Sequence, residues 1–320
     1  LFLFSTSETP MRRRFALVFN RHAGIERPRR LAATLSALEA AGAEIRPLET
    51  TSAEDATAQV RALAHAGAVD AVIAAGGDGT IRAVAAGVAG TAVPLGIVPL
   101  GTGNVLKYEI GLSSRPGEIA KVLLQGPEVE MQGGFVNGAP FFLMAGAGFD
   151  ARIVNALKQP AKKRLGRLAY GGPIMGALLA PPDRIDVEID GEPPVRASWV
   201  IVTNASRYGG SFKLTDATNI CAPGFMVVLV HGNSRAALLG ASLRLGLGAL
   251  ANVAQLPKGI TARRCNSVRI TGAGPVPVEI DGDEGGFAPV HVTSGGPPVR
   301  LLVPQARVAD LTNRHTNHLR

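Results

Sequence analysis

Two glycine-rich segments hold the residues best suited to chemistry, Gly76-Gly77-Asp78-Gly79-Thr80 and Pro99-Leu100-Gly101-Thr102-Gly103-Asn104. Each follows an apolar strand-like run and opens a helical pattern. Glycines at 76, 77 and 79 let the backbone approach a phosphate and offer N–H donors, and a helix N-terminus adds a favourable dipole. A carboxylate in such a loop repels phosphate unless a divalent cation or a transferable proton intervenes. Asp78 is therefore expected to be a metal-linked group or a base, the simpler alternative being a helix N-cap. The Thr102 hydroxyl and the Asn104 amide could bond a nucleotide or cap the next helix.

Such turns need a scaffold that brings them together. From Arg14 to about Gln125, apolar runs at Phe15–Phe19, Ile45–Leu48, Ala71–Ala75 and Leu95–Val98 alternate with helical patterns at Leu31–Ala41, Ala53–Ala66 and Ile81–Val88. That rhythm predicts an α/β domain with a parallel sheet, in which two successive strand-to-helix turns line one crevice at the carboxyl edge. After Glu128 the runs shorten and alternate. Asn137-Gly138, Asp190-Gly191 and Asp281-Gly282 then lie between apolar segments as type I′ hairpin signals, so the second domain is expected to be mainly antiparallel β. Helical insertions are expected at Ala151–Leu157, Leu165–Ala180 and Ser234–Leu250. The expected division is residues 12–126, residues 127–304 with the last strand (Val299–Val303) able to return to the first domain, and a disordered polar tail at 305–320.

Composition narrows the partners. Thirty-three Lys and Arg against 25 Asp and Glu give a formal charge of +8, suited to phosphates or an anionic membrane surface. The basic residues stand in small clusters without interleaved aromatics, which argues against nucleic acid. Two cysteines, Cys221 and Cys265, make neither a metal ribbon nor a disulfide scaffold, and a cytoplasmic setting fits. The most apolar helical stretch, Ala236–Leu256, is broken by Arg244 and rich in Gly and Ala, so membrane contact is expected to be peripheral. Residues 1–10, ahead of Met11, read as an upstream extension, and no repeat is found.

Together the two glycine motifs resemble those of the diacylglycerol kinase/sphingosine kinase catalytic superfamily, which includes bacterial lipid kinases; the resemblance runs from about Arg14 to Pro304. Gly76–Thr80 is similar to that family's nucleotide loop, a motif shared with NAD kinases and phosphofructokinases, and Pro99–Asn104 to its more specific second motif. Asn20 with Ala23-Gly24 resembles an Asn-Pro-x-x-Gly nucleotide contact, with Arg21 in place of proline. Gly146-Ala147-Gly148-Phe149-Asp150 resembles the lipid-facing Gly-x-Gly-Phe-Asp segment, and Arg164–Tyr170 the segment after it. The resemblance implies that Asp150 contacts a lipid headgroup; otherwise it is an N-cap. Glu279-Ile280-Asp281-Gly282-Asp283 looks like the family's Asp-Gly-Glu motif with Asp283 replacing glutamate. It implies that Asp281 is the general base and that Asp78 and Asp283 hold a Mg²⁺–ATP complex contacted by Asn20, Gly76, Gly77, Gly79, Thr80, Gly101, Thr102, Gly103 and Asn104.

The implied activity is transfer of the γ-phosphoryl group of ATP to a membrane-lipid hydroxyl, with diacylglycerol preferred over a sphingoid base or ceramide. Phe141–Met144 and Ile174–Leu179 could line an acyl pocket or form core. One departure stands out: the family's Asp-Asp-Gly-Leu acids, linked to a second, structural metal, are replaced here by Ala222-Pro223-Gly224-Phe225. That motivates the alternative of a non-catalytic lipid- or nucleotide-binding regulator; NAD kinase is the other alternative. The acceptor lipid and the oligomeric state stay open.

Overall fold

The computed structural model describes residues 11–19, 28–101, 103–157 and 171–313. Its first sheet is built from β1 (Arg14–Phe19), β2 (Glu44–Leu48), β3 (Ala71–Gly76) and β4 (Leu95–Pro99), joined by α1 (Pro28–Ala40), α2 (Ala53–His65) and α3 (Asp78–Val88). These strands pair in parallel in the order β2-β1-β3-β4. The central strand β3, Ala-Val-Ile-Ala-Ala-Gly, is buried along its whole length. An uninterrupted apolar run is what a parallel strand covered on both faces requires. Ser52 caps α2 by accepting from the Asp55 N–H at 3.1 Å. The two following helices are α4 (Val105–Glu109) and α5 (Pro116–Gln125).

Two further strands complete this sheet. β5 (Glu128–Met131) and β20 (Val299–Leu302) pair antiparallel, and β20 lies beside β4 in parallel, giving the order β2-β1-β3-β4-β20-β5. The chain therefore crosses to the second domain after β5 and returns at its far end. Arg12 fastens that crossing by donating to the Gly126 carbonyl at 2.9 Å and pairing with Glu128 at 2.6 Å.

The second domain stacks two six-stranded antiparallel sheets. One runs β10 (Val195–Ala197), β9 (Ile185–Ile189), β16 (Ser267–Gly272), β19 (Val290–Ser294), β6 (Gly134–Val136), β7 (Ala139–Phe141). The other runs β15 (Ile260–Cys265), β14 (Phe225–Val230), β11 (Trp199–Thr203), β8 (Met144–Gly148), β17 (Pro277–Ile280), β18 (Asp283–Phe287). Alternation on β11 shows how both faces of the second sheet are buried: Val200 and Val202 point into the sandwich with Val187, Val227 and Ile270. Trp199 and Ile201 point the other way, against α6 (Phe149–Ala156) and the helices Gly171–Leu179 and Arg235–Gly246. All three hairpin signals hold, with Asn137, Asp190 and Asp281 at φ of 48°, 51° and 50° and each following glycine also left-handed.

One expectation changes and two are narrowed. Residues 305–313 are not a disordered tail: Gln305–Arg307 forms a 3-10 turn and Val308–Asn313 a helix. Leu311 is buried, its carbonyl accepts from Asn219 Nδ2 at 2.6 Å, and Arg307 donates to the Glu109 carbonyl at 3.2 Å. A single apolar anchor suffices to order a polar segment. Phe141–Met144 is core, buried at every position. The insertion expected at Leu165–Ala180 is helical over Gly171–Leu179, and Arg164–Tyr170 lies outside the described residues.

Because β20 fills the gap between β4 and β5, Leu301→Ala should destabilise the first domain as a central core deletion does. A loss of roughly 2–5 kcal/mol in urea unfolding is expected.

Candidate active site

The two glycine turns meet at the carboxyl ends of β3 and β4. The Leu100 and Gly101 N–H groups both donate to the Gly76 carbonyl, at 2.8 and 3.1 Å. A Cβ on Gly101 would stand 2.5 Å from the Gly77 Cα. A backbone atom cannot give way, so only glycine fits there.

Asp78 is the first residue of α3, and Gly77 occupies the N-cap position. The carboxylate does cap a helix, but a different one: its Oδ1 accepts from the Val105 N–H, the start of α4, at 3.0 Å. It thereby ties the first turn to the second. Asn104, left-handed at φ 49°, places its amide against its own loop; Oδ1 accepts from the Gly101 N–H at 3.0 Å and Nδ2 donates to the Gly101 carbonyl.

The β17–β18 hairpin approaches α3 from the second domain. A Cβ at Gly79 would lie 2.6 Å from Asp283 Oδ2, and Arg82 on the next turn of α3 donates to that oxygen at 3.1 Å and to the Ile280 carbonyl at 3.4 Å. Asp283 remains about two-fifths exposed (38%), whereas Asp281 is 4% exposed. Both Asp281 oxygens are engaged: Oδ1 accepts from the Leu143 and Met144 N–H groups at 2.8 and 2.9 Å, and Oδ2 from Phe142 at 2.9 Å. Burial raises the Asp281 carboxyl above its ordinary range despite these donors and the nearby Arg82 charge.

Asp150 lies inside the first turn of α6 rather than at its cap, which is Gly148 at φ 90°. Its Oδ1 accepts from the Ala151 N–H at 2.8 Å, and the Tyr208 hydroxyl donates to Oδ2 at 3.3 Å. Burial pushes its carboxyl up to about 6. Glu279 on β17 faces Gly146 across the sheet register. Burial first, and then the negative charge of Asp150, hold its carboxyl well above the ordinary range. Its Oε2 accepts from the Gly282 N–H at 2.7 Å, while Oε1 has no partner among the described residues.

Asp78, Asp283 and the glycines at 76, 77, 79, 101 and 103 thus meet, Asp281 anchors the hairpin that carries Asp283, and Asp150 neighbours Glu279 of the same hairpin; Asn20 and Thr102 lie outside the described residues. Sequence reasoning passed over Arg82 and Glu279. Arg82 stands four residues after Asp78, on the same helical face. Glu279 precedes the Asp-Gly turn by two residues in an otherwise apolar strand. Of the two positions where acids were sought, Ala222 is buried apolar core and Pro223 is exposed. Among the described residues no three His, Cys, Asp or Glu side chains gather as a metal cage. Both cysteines are buried free thiols raised to about 12, which leaves them unreactive. No described helix is long and apolar enough to cross a membrane.

Comparison with known proteins follows the same division. Residues 14–136 match the diacylglycerol kinase catalytic domain family, and residues 144–308 the YegS C-terminal NAD kinase beta sandwich-like domain. A Bacillus subtilis diacylglycerol kinase is 27% identical over 311 residues, covering 93% of this chain and 99% of that protein. An uncharacterised Synechocystis protein is 28% identical over 237 residues, covering 73% of this chain but only 54% of its own length. A solved structure from Bacillus anthracis str. Sterne superposes with a TM-score of 0.77 at 21% identity, covering 95% of this chain and all of that one (100%), and so shares the fold.

A carboxyl whose pKa is raised on folding favours the native state only while protonated. Stability that is present below the unfolded value near 3.8 is therefore lost as pH rises through about 6. Asp150→Asn should flatten that slope, with the share due to Glu279 and Asp281 remaining, read as melting temperature between about pH 4 and pH 7.

Proposed function

Since the chain belongs to the diacylglycerol kinase superfamily of lipid kinases, we propose that it transfers the γ-phosphoryl group of ATP to a lipid hydroxyl, diacylglycerol before a sphingoid base or ceramide. The observation that carries this reading is the approach of Asp283, from one domain, to Gly79, in the turn of the other. Phosphoryl transfer asks the protein mainly to hold the nucleotide, neutralise developing charge and meet the acceptor proton. In this reading Gly76, Gly77, Gly79, Thr80, Gly101, Gly103 and Asn104 cradle the triphosphate, with Asn20 and Thr102 as further contacts.

Asp78, at the start of α3, supplies the hard oxygen donor, and Asp283, which the resemblance gives as a second donor, is kept in this reading for the proton. Mg²⁺ ordinarily takes one or two carboxylates plus phosphate oxygens and water, so this donor set fits the ion without a full protein cage. When bound with the nucleotide, the ion would neutralise charge on the β- and γ-oxygens. Arg82 adds a guanidinium that keeps Asp283 turned toward α3.

The resemblance points to Asp281 as base, but geometry favours a division of labour. Three N–H donors already occupy the Asp281 carboxylate, which suits it to fixing the hairpin. Asp283 retains exposed surface beside the turn, which suits it to accepting the proton of the lipid hydroxyl. Asp150, with its raised carboxyl, then stands as the headgroup contact, accepting a hydrogen bond near neutral pH and able to donate one below about 6. ATP-dependent activity with peripheral contact to an anionic membrane surface, in a cytoplasmic setting, completes the reading.

The test is incubation with γ-labelled ATP, Mg²⁺ and separate diacylglycerol, ceramide, sphingosine and NAD samples. Labelled phosphatidic acid is expected, and label in NAD alone would overturn the proposal. Asp283→Asn should lower turnover roughly 10²–10⁴-fold with little change in melting temperature. Asp281→Asn should lower the melting temperature as well, because an amide N–H then faces backbone N–H donors. Selective loss of turnover at unchanged stability in Asp281→Asn would return the base role to that residue.

A further inference from the structure

Large apolar side chains cluster on one outer face of the second domain. Helix Arg235–Gly246 buries Leu238, Ala241 and Leu245 against the second sheet. Its outer side carries Leu239, Leu243 and then Leu247 just past its end, four residues apart and therefore on one face, with Leu243 59% and Leu247 84% exposed. The neighbouring helix Gly171–Leu179 packs on it and presents Met175 and Leu179, 58% and 62% exposed. Phe212, on the short strand β13 (Phe212–Lys213) beside the first helix, is also exposed. A lone exposed leucine is ordinary, whereas a contiguous set on two touching helices marks an interaction surface.

Charge selects the occupant. The sequence has no Asp or Glu between Asp216 and Glu279, a stretch that includes Arg235, Arg244 and Lys258. A second copy of a +8 chain would bring the same basic rim against itself. An anionic bilayer instead takes leucines into its acyl boundary and arginines at its headgroups. The face is also continuous with the site, because helix Gly171–Leu179 packs on the helix that carries Asp150.

We propose that helices Gly171–Leu179 and Arg235–Gly246 form the face by which this protein sits on an anionic lipid bilayer, so that lipid reaches the Asp150 end of the site directly from the membrane. The inference rests on the lipid-kinase reading for its purpose but not for its measurement. The full chain is sedimented with vesicles of phosphatidylcholine alone and of equal parts phosphatidylcholine and phosphatidylglycerol. Wild type should bind the anionic vesicles in a salt-sensitive way. The double variant Leu243→Glu/Leu247→Glu should lose about tenfold or more in affinity, and Leu239→Gln should lose less in the same direction. Val195→Glu, at an exposed apolar position on β10 of the other sheet, should bind as wild type does.

Turnover on a water-soluble short-chain diacylglycerol should be unchanged in the double variant and reduced only when the lipid is held in vesicles. No turnover on any lipid, with vesicle binding still lost in the double variant, would sink the kinase reading and leave the docking face standing. Equal vesicle binding by wild type and the double variant would overturn the docking face. So would a wild-type dimer in light scattering that the double variant converts to a monomer without vesicle affinity in either form.

Discussion

The architecture depends on one close approach: a turn of the first domain without side chains, Gly79, and a hairpin carboxylate of the second, Asp283. No residue with a Cβ fits at Gly79 while Asp283 keeps its place. The contact is held from both sides. Arg82 pulls Asp283 and the Ile280 carbonyl toward α3, and Asp281 anchors the hairpin to the Phe142–Met144 backbone. Beneath it, the Gly77–Gly101 approach and the Asp78–Val105 hydrogen bond lock the two turns into one surface. Placing the reacting groups therefore relies mostly on backbone donors and the absence of Cβ atoms, both of which are rigid.

Behind this contact lies a set of carboxyls kept from water. Asp150 and Glu279 share one end of the β8–β17 pairing, and each is driven toward its neutral form chiefly by burial. Two like charges so far from solvent are costly together, which disfavours ionising both. A protonated carboxyl can donate as well as accept. The carboxylate nearest the glycine turn is instead partly exposed and paired with a guanidinium. The β17–β18 hairpin thus carries acids in contrasting environments, Glu279 buried and Asp283 partly exposed.

In the proposed docking, the outer helices extend this arrangement toward the bilayer. Their inner leucines complete the core over Trp199 and Met226, and their outer leucines stay in solvent. Binding to a bilayer through that layer orients the domain without requiring any segment to span the membrane.

Much was legible before any coordinates. The alternation of apolar runs and helical patterns fixed the parallel sheet, since strand burial on two faces leaves uninterrupted runs such as Ala71–Ala75. Asx-Gly pairs marked all three hairpins because few residues tolerate left-handed φ. Glycine spacing marked the phosphate-suited turns, whose conformational needs are local. The tertiary structure alone decided what depended on partners distant in sequence: that Asp78 caps α4, not α3, that Asp281 is saturated by backbone donors while Asp283 is not, that Asp150 raises Glu279, and that Leu311 orders the chain after Pro304. A residue's type sets which bonds it can make, but its desolvation and the donors that reach it are set by packing between segments well separated in sequence, which no local pattern encodes.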